Sequence, residues 1–293
     1  MRHAYLILAH GNFHILERQL RFLDSENADF YIHIDAKVPD FDFDRFAAVP
    51  KKSNVYYVNR FNIHWGDVSM IQAEYALLEA AVPGSYGYYH LLSGVDVPVK
   101  SREYIESYFG CDNVNYVNFN DAIISDHYLD RVKYYYPLQN RDIRNRYARS
   151  AVRAFSAFVQ RVWGTDRTRK YPEMEFQKGT QWFSITHEFA EYVLSQKELA
   201  MQIFRQSCCS DEMLVQTLLI NSPYKDTVSP NNFRNDHACC LRYIDWTRGK
   251  PYTFTDDDFE ELIHTPENIL FARKFTCSAE KHVADRVFDF FEK

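Results

Sequence analysis

In SCCSDEMLVQTLLI (207–220) two carboxylates, Asp211 and Glu212, stand directly before an apolar run. A carboxylate projecting from the start of a helix can take a proton from an attacking hydroxyl, the work of a general base. The same place suits an acid that only complements the positive end of a helix dipole, and both readings are open here. Ser210 or Asp211 is expected to cap the helix by accepting backbone N–H bonds, which would leave Glu212 projecting from the first turn. Three further polar residues stand where apolar runs end: His10 after AYLILA (4–9), Asp35 in FYIHIDAK (30–37) and Asp96 in SGVDVP (93–98). Each could bind a ligand at the end of a strand. The alternatives are a turn histidine for His10 and a helix cap or turn former for Asp35.

Elements of regular spacing must hold these residues. The continuous run 4–9 reads as a buried parallel strand entering a loop. Residues 15–23 carry apolar side chains at helical spacing. Residues 30–37 and 54–58 read as strands, and 68–82 as a helix stopped by Pro83 and Gly84. Residues 86–99 read as a fourth strand broken at Ser93 and Gly94. Alternation of strand and helix over the first hundred residues predicts a Rossmann-like α/β sheet flanked by helices. Ligands bind such sheets at the carboxyl ends of strands, where His10, Asp35 and Asp96 fall. Farther on, GTQWFSITHEFAEYVL (179–194) predicts a strand, a cap at Thr186 and a helix from Phe189. DDDFEELI (256–263) predicts a helix opened by acids. No repeat or low-complexity linker divides the chain. A single domain over 1–293 is expected.

Composition narrows the class. The chain has 293 residues, 46% hydrophobic and 25% charged, as in ordinary globular proteins. Its 23 Phe and 21 Tyr raise the aromatic share to 16%, which suits a Tyr/Phe-rich core or a surface that stacks on sugar and base rings. A net charge of −6 argues against a nucleic-acid binder. Six cysteines without a C-x-x-C disfavour zinc-ribbon and thioredoxin chemistry and are expected to be reduced. No G-x-G-x-x-G follows the first strand, and P-loop, G-x-S-x-G and H-E-x-x-H motifs are absent. The opening apolar run is too short for a signal peptide or a membrane span. The chain as given is therefore expected to be cytoplasmic, or a trimmed form.

AYLILAHGNFHILERQLRFL and FYIHIDAK resemble the opening of the core-2/I-branching β-1,6-N-acetylglucosaminyltransferases and peptide O-xylosyltransferases, glycosyltransferase family 14. The resemblance continues through NVYYVNRFNIHWGDVSMIQAEYALLEAA, YYHLLSGVDVPVKS, GTQWFSITHEFAEYVL, SDEMLVQTLL and LFARKF, and is weakest over about 115–175. The expectation is a bacterial-type member. The resemblance implies a GT-A type fold, with donor binding over about 1–110 and acceptor binding and catalysis over about 111–293. It implies inverting transfer of GlcNAc or xylose from a UDP-sugar to a glycan or glycolipid hydroxyl.

The same resemblance implies roles for single residues. His10 and Asp35 would hold the uridine side of the donor, and Trp65 would lie beside it. Glu212 would be the base. Asp96 lacks the second acid of an Asp-x-Asp, so no divalent metal is expected. Basic side chains would then stabilise the leaving UDP: Lys274 in LFARKF, and Arg248 or Lys250 in TRGK, between which spacing does not decide. Asn118, Asp126, Arg131, Trp182 and Trp246 lie where acceptor contacts are expected. Each fits a core or surface role equally.

Residues 141–170 hold nine basic residues against two acids, with Tyr147, Ala151, Phe155, Phe158 and Val162 at helical spacing and Trp163 at the end. This basic amphipathic helix fits peripheral contact with an anionic membrane, at its inner face for a cytoplasmic chain, where a lipid-linked glycan would be the acceptor. It equally fits a helix packed on the core with a solvated basic face. Two other functions stay open. A glycoside hydrolase needs paired acids facing one bond, and the successive Asp211 and Glu212 point in different directions. A carbohydrate-binding module would bind glycans without affinity for UDP.

Overall fold

The computed structural model describes residues 1–110, 113–136, 139, 146–228, 236–276 and 282–292. In chain order the strands are β1 (His3–Ala9), β2 (Ala28–Ile34), β3 (Val55–Tyr57), β4 (Tyr88–Ser93), β5 (Val97–Pro98), β6 (Tyr116–Val117), β7 (Phe183–Thr186), β8 (Arg242–Ile244) and β9 (Phe271–Arg273). The helices are α1 (Phe13–Phe22), α2 (Phe43–Ala47), α3 (Ser69–Ala81), α4 (Arg102–Tyr108), α5 (Asp126–Lys133), α6 (Arg146–Val162), α7 (His187–Ser195), α8 (Lys197–Phe204), α9 (Leu214–Ile220), α10 (Phe259–Ile263) and α11 (Val283–Phe291).

β1 is apolar on both faces, and all of it but Leu8 is buried. Such a strand belongs inside a parallel sheet covered by helices. It pairs in parallel with β2 and with β4, and β2 pairs in parallel with β3. β7 then adds antiparallel to β4, and β6 antiparallel to β7. The result is a mixed six-stranded sheet in the order β3-β2-β1-β4-β7-β6. Tyr5, Ile7 and Ala9 enter a core shared with α1 and α11, while Ala4 and Leu6 enter one shared with α3, α7 and α9. This is the two-residue alternation of a strand with both faces covered. The expected Rossmann-like α/β architecture is the one observed.

Residues 86–99 are not one broken strand. The Ser93 N–H and hydroxyl both donate to the Asp96 carboxylate, at 2.9 and 2.8 Å, and close a turn. The chain leaves the first sheet there, and β5 joins a second sheet, β5-β9-β8. Fully buried Arg242 ties the two sheets together. Its guanidinium donates to the carbonyls of Leu91 and Phe183 at 3.2 and 3.1 Å. Two other elements differ from expectation. Residues 256–258 form a 3-10 turn closed by a Thr255–Asp258 capping box, and α10 starts only at Phe259. The expected basic helix is α6, and Arg167–Lys170 beyond it is a separate 3-10 turn. Arg141 and Arg144 lie outside the described residues.

Candidate active site

Beyond β1 the chain builds β2 and β3 on one side, then returns through α3 to build β4 on the other. The strand order switches at β1, and the loops leaving β1, β2 and β4 diverge there. A cavity of about 540 Å³ opens at that point, as the topology of such sheets predicts. Its floor carries His10, Asp35 and Ser93 from the three strand ends, with Trp65 on its wall. Asp211, Glu212, Trp182, Trp246 and Arg273 complete it from the later half of the chain.

Asp35 is fixed by its own loop. Its Oδ1 accepts from the Lys37 N–H at 2.9 Å, and the Lys37 ammonium lies 3.8 Å from Oδ2. Arg60 donates to the carbonyls of Ile34 and Asp35 at 3.1 and 2.8 Å, which holds the Trp65 loop against the end of β2. His33 also lines the cavity, and burial pulls its pKa down to about 4, so its ring is neutral.

Glu212 sits where three segments meet. Residues Ser210–Glu212 form a 3-10 turn, and α9 begins after it. The Cys208 N–H donates to Arg131 O at 3.0 Å and the Cys209 N–H to Gly66 O at 2.9 Å, so the turn is tied to α5 and to the Trp65 loop. From the third side the Gly179 N–H donates to Glu212 O at 2.9 Å. Only glycine fits at 179, because a Cβ there would stand 1.7 Å from Asn118 O. The expected helix cap is not formed. No side chain caps α9, and Ser210 Oγ and Asp211 Oδ1 have no hydrogen-bond partner among the described residues. A 3-10 turn stands between both residues and the start of α9.

The two acids are electrostatic opposites. Arg131 Nη1 lies 2.6 Å and Lys178 Nζ 3.2 Å from Glu212 Oε2. Burial pushes the Glu212 carboxyl up, but Lys178 and Arg131 outweigh it and hold it below its ordinary value near 4.5. Its side chain keeps 32% of its exposure on the cavity wall. It is an accessible, ionised carboxylate. Burial and the charge of Glu212 push Asp211 well above the ordinary carboxyl range. Glu74 behind it, fully buried on α3, is pushed up by burial and then by Asp211, although Gln181 Nε2 donates to it at 2.7 Å.

A buried acid with a raised pKa keeps a proton that the unfolded chain releases. Its stabilising contribution is complete below the ordinary carboxyl range and declines as pH rises above it. Glu74→Gln copies the protonated form. The melting temperature of this variant is expected to fall less than the parent's between about pH 5 and about pH 8. Parallel falls in thermal melts would show that Glu74 is ionised in the fold.

The basic residues are placed differently from expectation. Arg248 is held by Asp245, by Asp258 at 2.6 Å and by Glu261 at 2.9 Å, and it does not line the cavity. Three carboxylates already neutralise it. Lys250 and Lys274 are also absent from the cavity wall. The cation that β9 sends there is Arg273, whose guanidinium lies 3.8 Å from the Trp182 ring centroid. Its Nη1 is buried, 3.7 Å from Asp96 Oδ1, and makes no hydrogen bond among the described residues. Asp96 itself is fully buried. Its carboxylate is committed to the Ser93 turn and faces Arg273 without lining the cavity.

The residues expected at the acceptor separate likewise. Arg131, Trp182 and Trp246 reach the site. Asn118 is buried and structural: its amide donates to Asp236 O at 3.1 Å, and its oxygen accepts from the Thr180 N–H at 3.1 Å. Asp126 is exposed in the first turn of α5. Sequence reasoning missed Lys178, Arg273 and Glu74. Arg273 stood beside the chosen Lys274, and the alternation of a strand could have raised the choice between them. Lys178 and Glu74 carry no local signal.

A family model described as Core-2/I-Branching enzyme matches residues 3–265. Xylosyltransferase 2 of Canis lupus familiaris is 24% identical over 307 residues, covering 99% of this chain and 33% of that protein. Xylosyltransferase 1 of Rattus norvegicus is 23% identical over 302 residues, covering 97% of this chain and 34% of that protein. The chain thus spans about a third of the length of the curated relatives it matches. These relatives are mammalian and lend no support to the expected bacterial type. A crystal structure of mouse xyloside xylosyltransferase 1 covers 92% of this chain at 10% identity and a TM-score of 0.35.

Proposed function

The chain belongs to the Core-2/I-branching enzyme family, and from that premise we propose that it transfers GlcNAc or xylose from a UDP-sugar to a hydroxyl of a glycan or glycolipid. The observation that carries this reading is the ionised Glu212 carboxylate, held by Arg131 and Lys178 on a cavity that also holds Asp35, His10 and Trp65. In this reading the fold is of the GT-A type. Asp35 and His10 bind the uridine side, and Trp65 packs beside the donor. The acceptor oxygen attacks the anomeric carbon from the Glu212 side while Glu212 takes its proton. The bond to UDP breaks on the opposite face, so one displacement inverts the anomeric centre and needs no second catalytic carboxylate. The negative charge that develops on the departing diphosphate meets Arg273, so we propose that no divalent metal is needed.

Thermal melts with UDP, with and without EDTA, test the donor and the metal together. UDP is expected to raise the melting temperature, and the rise is expected to survive EDTA. Absence of any rise would remove the UDP-sugar reading. A rise abolished by EDTA would remove the metal-free one.

A further inference from the structure

Helix α6 is packed inside out. Its polar side faces the protein: the Ser156 hydroxyl donates to Tyr135 O at 3.2 Å, Gln160 Nε2 donates to the same oxygen at 2.8 Å, and Arg161 binds Asp130 at 3.1 Å. Arg153 on the same side lies over the Trp65 ring at 4.9 Å. Its apolar side faces outward. Phe155, Phe158, Val162 and Trp163 are 69%, 64%, 67% and 78% exposed. Phe155, Phe158 and Val162 follow at steps of three and four, so they lie on one stripe, which Ala151 and Tyr147 continue. The helix has 17 residues, about 25 Å of length. An exposed aromatic stripe along one helix marks an interaction surface.

We propose that α6 docks on an anionic membrane surface, its aromatic stripe lying in the interfacial layer. Charge decides between a bilayer and a second copy of this chain. Among the described side chains in and just beyond α6, Arg161, Arg169 and Lys170 are exposed near the stripe, while Arg167 is buried on backbone carbonyls. In a two-fold contact the same patch meets itself, so this basic segment would face another like it. Anionic headgroups oppose it with the complementary sign. Arg169 and Lys170, both exposed, stand just beyond the helix to meet them. An aromatic stripe ending in Trp163 suits the boundary between headgroups and acyl chains. Among the described residues no helix is long and apolar enough to cross a membrane, so the contact is peripheral.

The chain continues from Trp163 into one wall of an apolar groove of about 620 Å³, formed by Tyr171, Pro172 and Met174. The same groove is lined by Leu129 of α5, the helix that also supplies Arg131 to Glu212. A surface-bound enzyme would therefore present this side of its site to the membrane.

Co-sedimentation with phosphatidylcholine vesicles, alone or with about 30 mol% phosphatidylglycerol, tests the proposal without donor or acceptor. Its outcome is therefore independent of the transfer reaction. The bound fraction is expected to rise about tenfold or more with the anionic lipid. Phe155→Ser with Phe158→Ser is expected to abolish that rise and keep the parent's melting temperature. Equal binding to both vesicles, or parent-level binding by the double variant, overturns the proposal. A parent that ignores vesicles but dimerises in sedimentation velocity, and a double variant that is monomeric, assigns the stripe to a second copy instead.

Discussion

Glu212→Gln is expected to lower transfer by about 10²–10⁴-fold while UDP binding stays near the parent value. The amide keeps the size of the carboxylate and a hydrogen-bonding oxygen, but cannot take the acceptor proton. The surrounding cations make a second readout available. With Lys178 and Arg131 on Oε2, Glu212 is ionised down to below its ordinary value near 4.5. A base acts only when deprotonated, so transfer by the folded parent should hold as pH falls towards that value and decline below it. Lys178→Met removes one cation, raises the carboxyl pKa and should move the acid limb to higher pH. A retained turnover in Glu212→Gln excludes this residue as the base. An acid limb that Lys178→Met leaves in place would mean that another group titrates there.

Arg273→Met is expected to cost about 10²–10³-fold in transfer and to weaken UDP binding, with far smaller losses in Lys274→Met and Arg248→Met. The ranking follows from what each cation already touches. Arg248 is surrounded by Asp245, Asp258 and Glu261, and the bond from Asp245 chiefly pushes its pKa up. It has little charge left to offer a ligand. Arg273 is partly buried beside Trp182, with Nη1 unbonded among the described residues and Asp96 no nearer than 3.7 Å. The residue lines the cavity, and its guanidinium is not consumed by a close carboxylate, so it can pair with a phosphate there. Removing Arg273 also strands the buried Asp96 charge, which lowers stability. Arg273→Lys keeps the charge and separates the two effects: it should recover stability and part of UDP binding. If Arg273→Met turns over like the parent while Lys274→Met does not, the leaving-group cation is Lys274.

The sequence alone determined the alternation of strands and helices that builds the first sheet. AYLILA is apolar on both faces, which only a covered parallel strand tolerates, and α1 and α3 announce themselves by helical spacing. Because strand ends carry the loops, His10 and Asp35 could be placed at the cavity from their position after apolar runs alone. Glu212 was legible as a candidate for the same local reason, an acid before an apolar helix. What an acid does at that place depends on charges brought from elsewhere in the chain. Arg131 and Lys178 lie 81 and 34 residues before Glu212 and carry no local mark of their role.

Tertiary structure decided the rest. It separated Asp211 from Glu212, burying one against Glu74 and pairing the other with two cations. It chose Arg273 over its neighbour Lys274 for the cavity wall, and it used up Arg248 on three carboxylates. It also turned α6 over, sending outward the face that amphipathic spacing would place on the core. Periodicity tells that a helix has two faces. Which face meets the protein depends on the polar groups, here the Tyr135 backbone and the Asp130 carboxylate, that other segments bring against it.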